Sequence, residues 1–198
     1  QSTNNVWAID RSGQGNNGIL KNTATSSVRK VGKIGQALDF DGSNDYVDVG
    51  SFIPISGGNP RSMTFWIKPT SAVTDGLISW GTDLAGELFV IALINTGVIE
   101  IDNGVNTCQS TATVNNNQWN FITIVGTGNN LNTYKIEING TSFVCTTNST
   151  INTTSTNGLD IANDVFSRSF VGIIDEVRIY NRALSADEIK RLYKIGST

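Results

Sequence analysis

The chain has 198 residues, a net charge of −3 and a pI near 4.9, with 16% charged residues and 20 glycines but only 3 prolines. Its few Lys and Arg are scattered, which argues against a nucleic-acid footprint or an anionic membrane surface as partner. It has no histidine, which excludes Ser-His-Asp and Cys-His catalysis and His-based zinc sites; any metal must be held by oxygen, which points to calcium.

A start at Gln1 with Met63 as the only methionine reads as a processed chain or an excised module. No run of about 18 apolar residues is present, so no membrane insertion is expected. From the N-terminus, "GQGNNG" (13–18) matches G-x-G-x-x-G literally. No helix-forming stretch follows it, so it reads as a turn and not as a dinucleotide loop.

Short apolar or alternating runs then recur between Gly, Asn, Ser and Asp clusters: "ALDF", "YVDVG", "MTFWIKP", "GLISWG", "ELFVIALI", "VIEID", "NFITIVG", "YKIEING", "SFVCTT" and "FVGIIDEVRIY". They are mostly four to eight residues long and rich in Ile, Val, Phe and Thr, the signature of strands. So many strands without intervening helices predict an all-β sandwich or barrel, and no composition break divides residues 1–198. One helix is predicted at the end, where Ser185-Ala186-Asp187-Glu188 forms a capping box ahead of Ile189, Leu192 and Tyr193.

Several residues stand out along this frame. "DFDGSND" places Asp39, Asp41, Ser43 and Asp45 around Gly42, a pattern that suits oxygen ligation of calcium or a plain D-G turn. Trp66 in "SMTFWIKP" alternates away from Met63, Phe65 and Ile67, so it faces away from the main core. Trp80 in "SWGTD" lies near Asp83 and Glu87 at a strand end. Both tryptophans suit a sugar platform, and both suit packing beneath loops. In "EID", Glu100 and Asp102 lack the second glutamate of a glycanase pair, so no catalytic residue is assigned. Cys108 and Cys145 are expected to form a disulfide between neighbouring strands of an exported protein, and Asn139, Asn148 and Asn152 open N-x-Ser/Thr sequons. Strict alternation in "GIIDEVRIY" puts Asp175 on one face with Ile173, Val177 and Ile179, an inward carboxylate that needs a partner.

"KIGQALDFDGSNDYVDVG", "SMTFWIKP", "NNQWNFITIV", "YKIEINGT" and "FVGIIDEVRIYNRALSADEIKRLY" together resemble the laminin-G-like jelly-roll domain, a branch of the concanavalin A-like lectin/glucanase superfamily. The resemblance spans residues 6–194 and implies a two-sheet antiparallel jelly-roll sandwich with one short C-terminal helix. It also implies a structural calcium, held here by Asp41, Gly42 through its carbonyl, Asp45 and Asp175. Family members usually serve as carbohydrate-binding or adhesion modules of larger secreted or surface proteins. The expectation is therefore a non-catalytic, extracellular glycan-binding module, with Trp66, Trp80, Asp83, Glu87, Asn163, Asp164 and Arg168 as contacts. The alternative is a structural or protein-adhesion module without glycan binding.

Overall fold

A computed structural model describes residues 7–22, 28–50, 52, 55–70, 73–114, 117–154 and 158–197. In chain order the strands are β1 (Trp7–Ala8), β2 (Gly18–Lys21), β3 (Arg29–Val31), β4 (Gln36–Asp41), β5 (Tyr46–Asp48), β6 (Arg61–Pro69), β7 (Asp75–Gly81) and β8 (Leu88–Leu93). They continue as β9 (Val98–Asp102), β10 (Thr107–Thr113), β11 (Asn120–Gly126), β12 (Tyr134–Ile138), β13 (Thr141–Val144), β14 (Asp160–Ile161) and β15 (Val171–Tyr180), followed by helix α1 (Ala186–Ile195). These strands form an eight-stranded sheet, β1-β2-β5-β14-β7-β8-β9-β10, and a seven-stranded sheet, β13-β12-β11-β6-β15-β4-β3. All ladders between them are antiparallel, so the fold is the expected jelly-roll sandwich.

Alternation of side chains explains the layering. Leu20, Val47, Ile161, Ile78, Ile91, Ile101 and Cys108 follow one another in register across seven strands of the larger sheet, all pointing into the sandwich. Met63, Phe65, Ile67, Ile122, Ile124 and Ile136 meet them from the smaller sheet, each with no exposed surface. Burial of this order, roughly 1.5–3 kcal/mol for each large apolar side chain, is the main stabilising term.

One edge of the sandwich is stapled covalently. Cys108 on β10 and Cys145, just after β13, form a disulfide with Cα atoms 5.6 Å apart. The bond is the expected one, but it joins the edge strands of opposite sheets instead of neighbours within one sheet.

The helix begins where its capping box was read. The Ser185 hydroxyl accepts from the Glu188 amide, and the Glu188 carboxylate accepts from the Ser185 amide at 2.9 Å. Its apolar stripe lies on the outer face of the smaller sheet. Trp66, Phe121, Val125, Leu184 and Ile189 make a second core there, with Leu192 and Tyr193 packed against it.

Candidate functional site

Two of the residues expected to carry a sugar are core residues. Trp66 does face away from the main core, as alternation requires, but α1 covers it: it is 3% exposed and stacks on Tyr193 at 5.7 Å with Phe121 at 5.0 Å. Trp80 points between the sheets with no exposed surface, against Phe89 at 4.6 Å, its indole N–H donating to the Ile55 carbonyl at 3.2 Å. Neither offers a platform to a ligand.

The other expected contacts fall into two groups. Asp83 and Glu87 lie in the β7–β8 turn, beyond the Gly81 end of β7. Asn163, Asp164 and Arg168 lie in the loop after β14, which folds over the Asp75 end of the same strand. Six residue steps of β strand separate those ends by about 20 Å, so the groups do not share a site. The second loop is tightly built. Asp164 accepts from the Phe166 and Arg168 amides and from Arg168 Nε at 2.6 Å. Gly76 permits its approach, since a Cβ there would sit 2.7 Å from Asp164. Val165 packs over the outward Val90 and Ala92.

The oxygen clip read from the sequence is not assembled. β15 carries a bulge between Asp175 and Arg178, with Glu176 at φ 52°. The extra residue breaks the two-residue period. Ile174, Val177 and Ile179 pack against the core between the sheets, whereas Asp175 pairs with Trp66 and faces the other side. There Asp175 lies beneath the turn joining β3 and β4, accepting from the Ile34 amide at 2.9 Å and from the Glu176 amide at 2.8 Å. Burial pushes its pKa up, against those amides, which lower it. Gly32 lets this turn lie directly on the carboxylate, since a Cβ there would meet Asp175 Oδ2 inside contact distance and the carboxylate would have to shift.

Asp41 lies opposite Val171, four steps and about 13 Å along β15 from Asp175, and it accepts from the Ser43 amide at 2.8 Å. Asp45 is buried in the same turn as Asp41 and Gly42, and its pKa is raised by burial and then by Asp41. Among the described residues no three acidic, His or Cys side chains are grouped to hold a metal ion. Calcium needs six to eight oxygens, and Asp41, Gly42, Asp45 and Asp175 do not supply them together.

The larger sheet has its own outer face, covered at Ser79, Val90 and Ala92 and partly exposed toward β1 and β5. A continuous rung crosses it in register: Trp7, Ile19, Asp48, Asp160, Ser79, Val90, Asp102 and Thr107. Trp7 is 42% exposed. Lys21 and Tyr46 pair on the adjoining rung, and the Lys21 ammonium lies 3.1 Å from the Asp48 carboxylate. Asp160, opposite both Asp48 and Ser79, is pushed up to about 6 by burial and by the Asp48 charge, with Lys21 opposing. Further along, Glu100 accepts from Gln109 Nε2 at 2.7 Å, and Asp102 accepts from the Gly104 amide at 2.8 Å.

A separate cleft of about 720 Å³ opens between the sheets on the β1–β3 side, with Leu38, Val49, Phe52, Val177 and Ile179 among its apolar walls; Trp7 borders both cleft and face. Trp7, Lys21, Tyr46, Asp48 and Asp160 were not singled out as contacts in the sequence. The available signal was alternation in "GILK" and "YVDV", which sets Lys21, Tyr46 and Asp48 opposite buried Leu20 and Val47.

Residues 41–190 match the laminin-G-like model described as the concanavalin A-like lectin/glucanases superfamily. The chain belongs to that family. No curated protein matches it. Among solved structures it is similar to domain 4 of AbnA, an extracellular GH43 arabinanase from Geobacillus stearothermophilus solved with arabinotriose, at 21% identity and a TM-score of 0.67, covering 83% of this chain and 80% of that one. The Ruminococcus gnavus sialidase CBM40 bound to α2,3-sialyllactose gives 18% identity and a TM-score of 0.58, covering 79% and 96%. The binding domain of botulinum neurotoxin serotype G gives 21% and 0.66, covering 96% of this chain and 49% of that one. At these identities the likeness establishes the fold alone, the two-sheet jelly-roll sandwich.

Proposed function

We propose that this chain is a non-catalytic glycan-binding module that takes its ligand on the outer face of the eight-stranded sheet. The observation that carries the reading is the Trp7–Ile19–Asp48–Asp160 rung. An exposed indole and two carboxylates stand on one face about 14 Å from end to end, the span of a short oligosaccharide. Sugars pair apolar C–H faces with hydroxyl donors, and that combination suits an aromatic platform beside charged acceptors. Arabinotriose and α2,3-sialyllactose bound to the two bacterial neighbours support a glycan as the ligand class. The disulfide fits an exported protein, and modules of this kind serve larger extracellular ones.

Titration of the folded domain against an oligosaccharide array tests this. Binding to at least one glycan, lost in Trp7→Ala and kept in Phe143→Ala on the distant β13 edge, is expected. Absence of binding to every glycan by protein of native melting behaviour would overturn it.

A further inference from the structure

We propose that the outer face selects uncharged glycans, laid across the strands from Trp7 to the Asp48–Asp160 pair, and rejects sugars bearing carboxylate or sulfate. This rests on the glycan-binding reading above and adds a ligand class and a direction to it.

The argument is one of charge and hydrogen-bond sense. The outward positions of the larger sheet carry Asp48, Asp160, Glu100 and Asp102 against a single lysine, Lys21. That lysine is already paired with Asp48 at 3.1 Å. Of the cations beside the face, Arg168 is engaged by Asp164 at 2.6 Å, with its unbonded Nη2 buried, and Arg29, on the smaller sheet, donates to the Trp7 carbonyl at 3.3 Å and to Gln36. Among the described residues no Lys or Arg stands on the rung itself to receive an anionic sugar. Ionised carboxylates only accept hydrogen bonds, so the pair suits hydroxyl donors and repels carboxylates or sulfates. Directly opposite residues on paired strands hold their Cβ atoms about 4.5–5.5 Å apart, so Asp48 and Asp160 can receive neighbouring hydroxyls of one sugar. Among the described residues none donates a hydrogen bond to Asp160, which leaves that acceptor for a ligand. Trp7 stands two strands from Asp48, about 10 Å away, where the next sugar of a chain crossing the strands would stack.

The direction distinguishes this face from a groove that runs along a strand. Toward β7 and β8 the surface is closed by the 163–168 loop over Gly76 and Ala92. Toward the sheet edge, Asp48 keeps a partly exposed side chain and Trp7 is 42% exposed.

The test is titration of wild type, Trp7→Ala and Asp48→Asn/Asp160→Asn with arabinotriose and other neutral trisaccharides, and with α2,3-sialyllactose and an oligogalacturonide, at pH 7.5 in low and high salt. Wild type is expected to bind a neutral glycan at least tenfold more tightly than either acidic one, with the gap narrowing in high salt as charges are screened. The double Asn variant should narrow the gap in low salt, and Trp7→Ala should weaken neutral binding about tenfold or more. Acidic glycans bound as tightly as neutral ones would overturn the selection while leaving the glycan-binding reading standing. Neutral binding unchanged in both variants would overturn the placement. No binding of either class would overturn this inference together with the reading it rests on.

Discussion

Asp48 and Asp160 stand directly opposite each other on β5 and β14, on the outer face of the larger sheet, with Lys21 in direct contact with the first and offsetting the second only in part. Placing two carboxylates side by side is unfavourable for folding, and the pH dependence of stability follows from it. The folded pKa of Asp160, about 6, lies above the ordinary carboxylate value of 3.8. The folded state therefore holds this proton more tightly than the unfolded chain. Stability from this group is greatest below about pH 4, falls as pH rises to about 6, and is level above.

Asp160→Asn removes that fall. Because the side chain is partly exposed, the full shift is discounted to about 1 kcal/mol, or about 2–4 °C in melting temperature. Calorimetry should find the variant more stable than wild type at pH 7.5 and equal to it near pH 4. A variant less stable at pH 7.5 would mean that the ionised carboxylate is supported by contacts the fold does not display. The same substitution is expected to weaken glycan binding, the usual exchange between stability and a functional site.

Three tryptophans separate packing from binding. Trp66 and Trp80 are buried under α1 and between the sheets, so replacing either with Ala should cost about 3–5 kcal/mol in urea unfolding. Trp7 is exposed on an edge strand, so Trp7→Ala should alter stability by about 0.5 kcal/mol or less while removing glycan binding. Loss of binding in Trp66→Ala protein that remains folded, with Trp7→Ala unaffected, would return the platform to the position alternation first suggested.

The sequence made the frame legible because the strand period and the helix cap are local properties. Ser185 and Glu188 lie three residues apart and need no tertiary partner, so α1 starts where the capping box places it. Trp66 was assigned to the right face of β6 for the same reason. What alternation cannot reveal is that a helix some 120 residues later covers that face. The Asp175 side was misread for a different reason. A single residue at φ 52°, Glu176, shifts the phase within β15, and "DEVRIY" contains no glycine to signal it. Trp7 was passed over because its value as a contact depends on β2, β5 and β14 lying beside β1, an order set only by the assembled sheet.

Asp175 now has a structural role that can be separated from metal binding. Removing its carboxylate strips buried acceptors from the Ile34 and Glu176 amides. Asp175→Ala should therefore cost about 2–3 kcal/mol, and Asp175→Asn less, since one acceptor oxygen remains. Both losses should be the same in calcium and in EDTA. A wild-type melting temperature that falls on chelation, with Asp175→Ala insensitive to it, would restore Asp175 as a calcium ligand.

The disulfide closes a loop whose ends are 37 residues apart, and it joins the outer edges of the two sheets. On the chain-entropy account, a loop of that length stabilises by about 4 kcal/mol. The cross-link also holds β10 against β13 where the two sheets meet, with Val144 71% exposed beside it. Reduction, or Cys108→Ser/Cys145→Ser, should lower the melting temperature by roughly 8–16 °C for a domain of this size. Glycan binding at low temperature should persist, because the rung from Trp7 to Asp160 lies at the opposite edge of the larger sheet. The two measurements are to be made on the same sample. Binding lost in step with reduction, while circular dichroism still reports a folded sandwich, would place the ligand at the β10 edge instead.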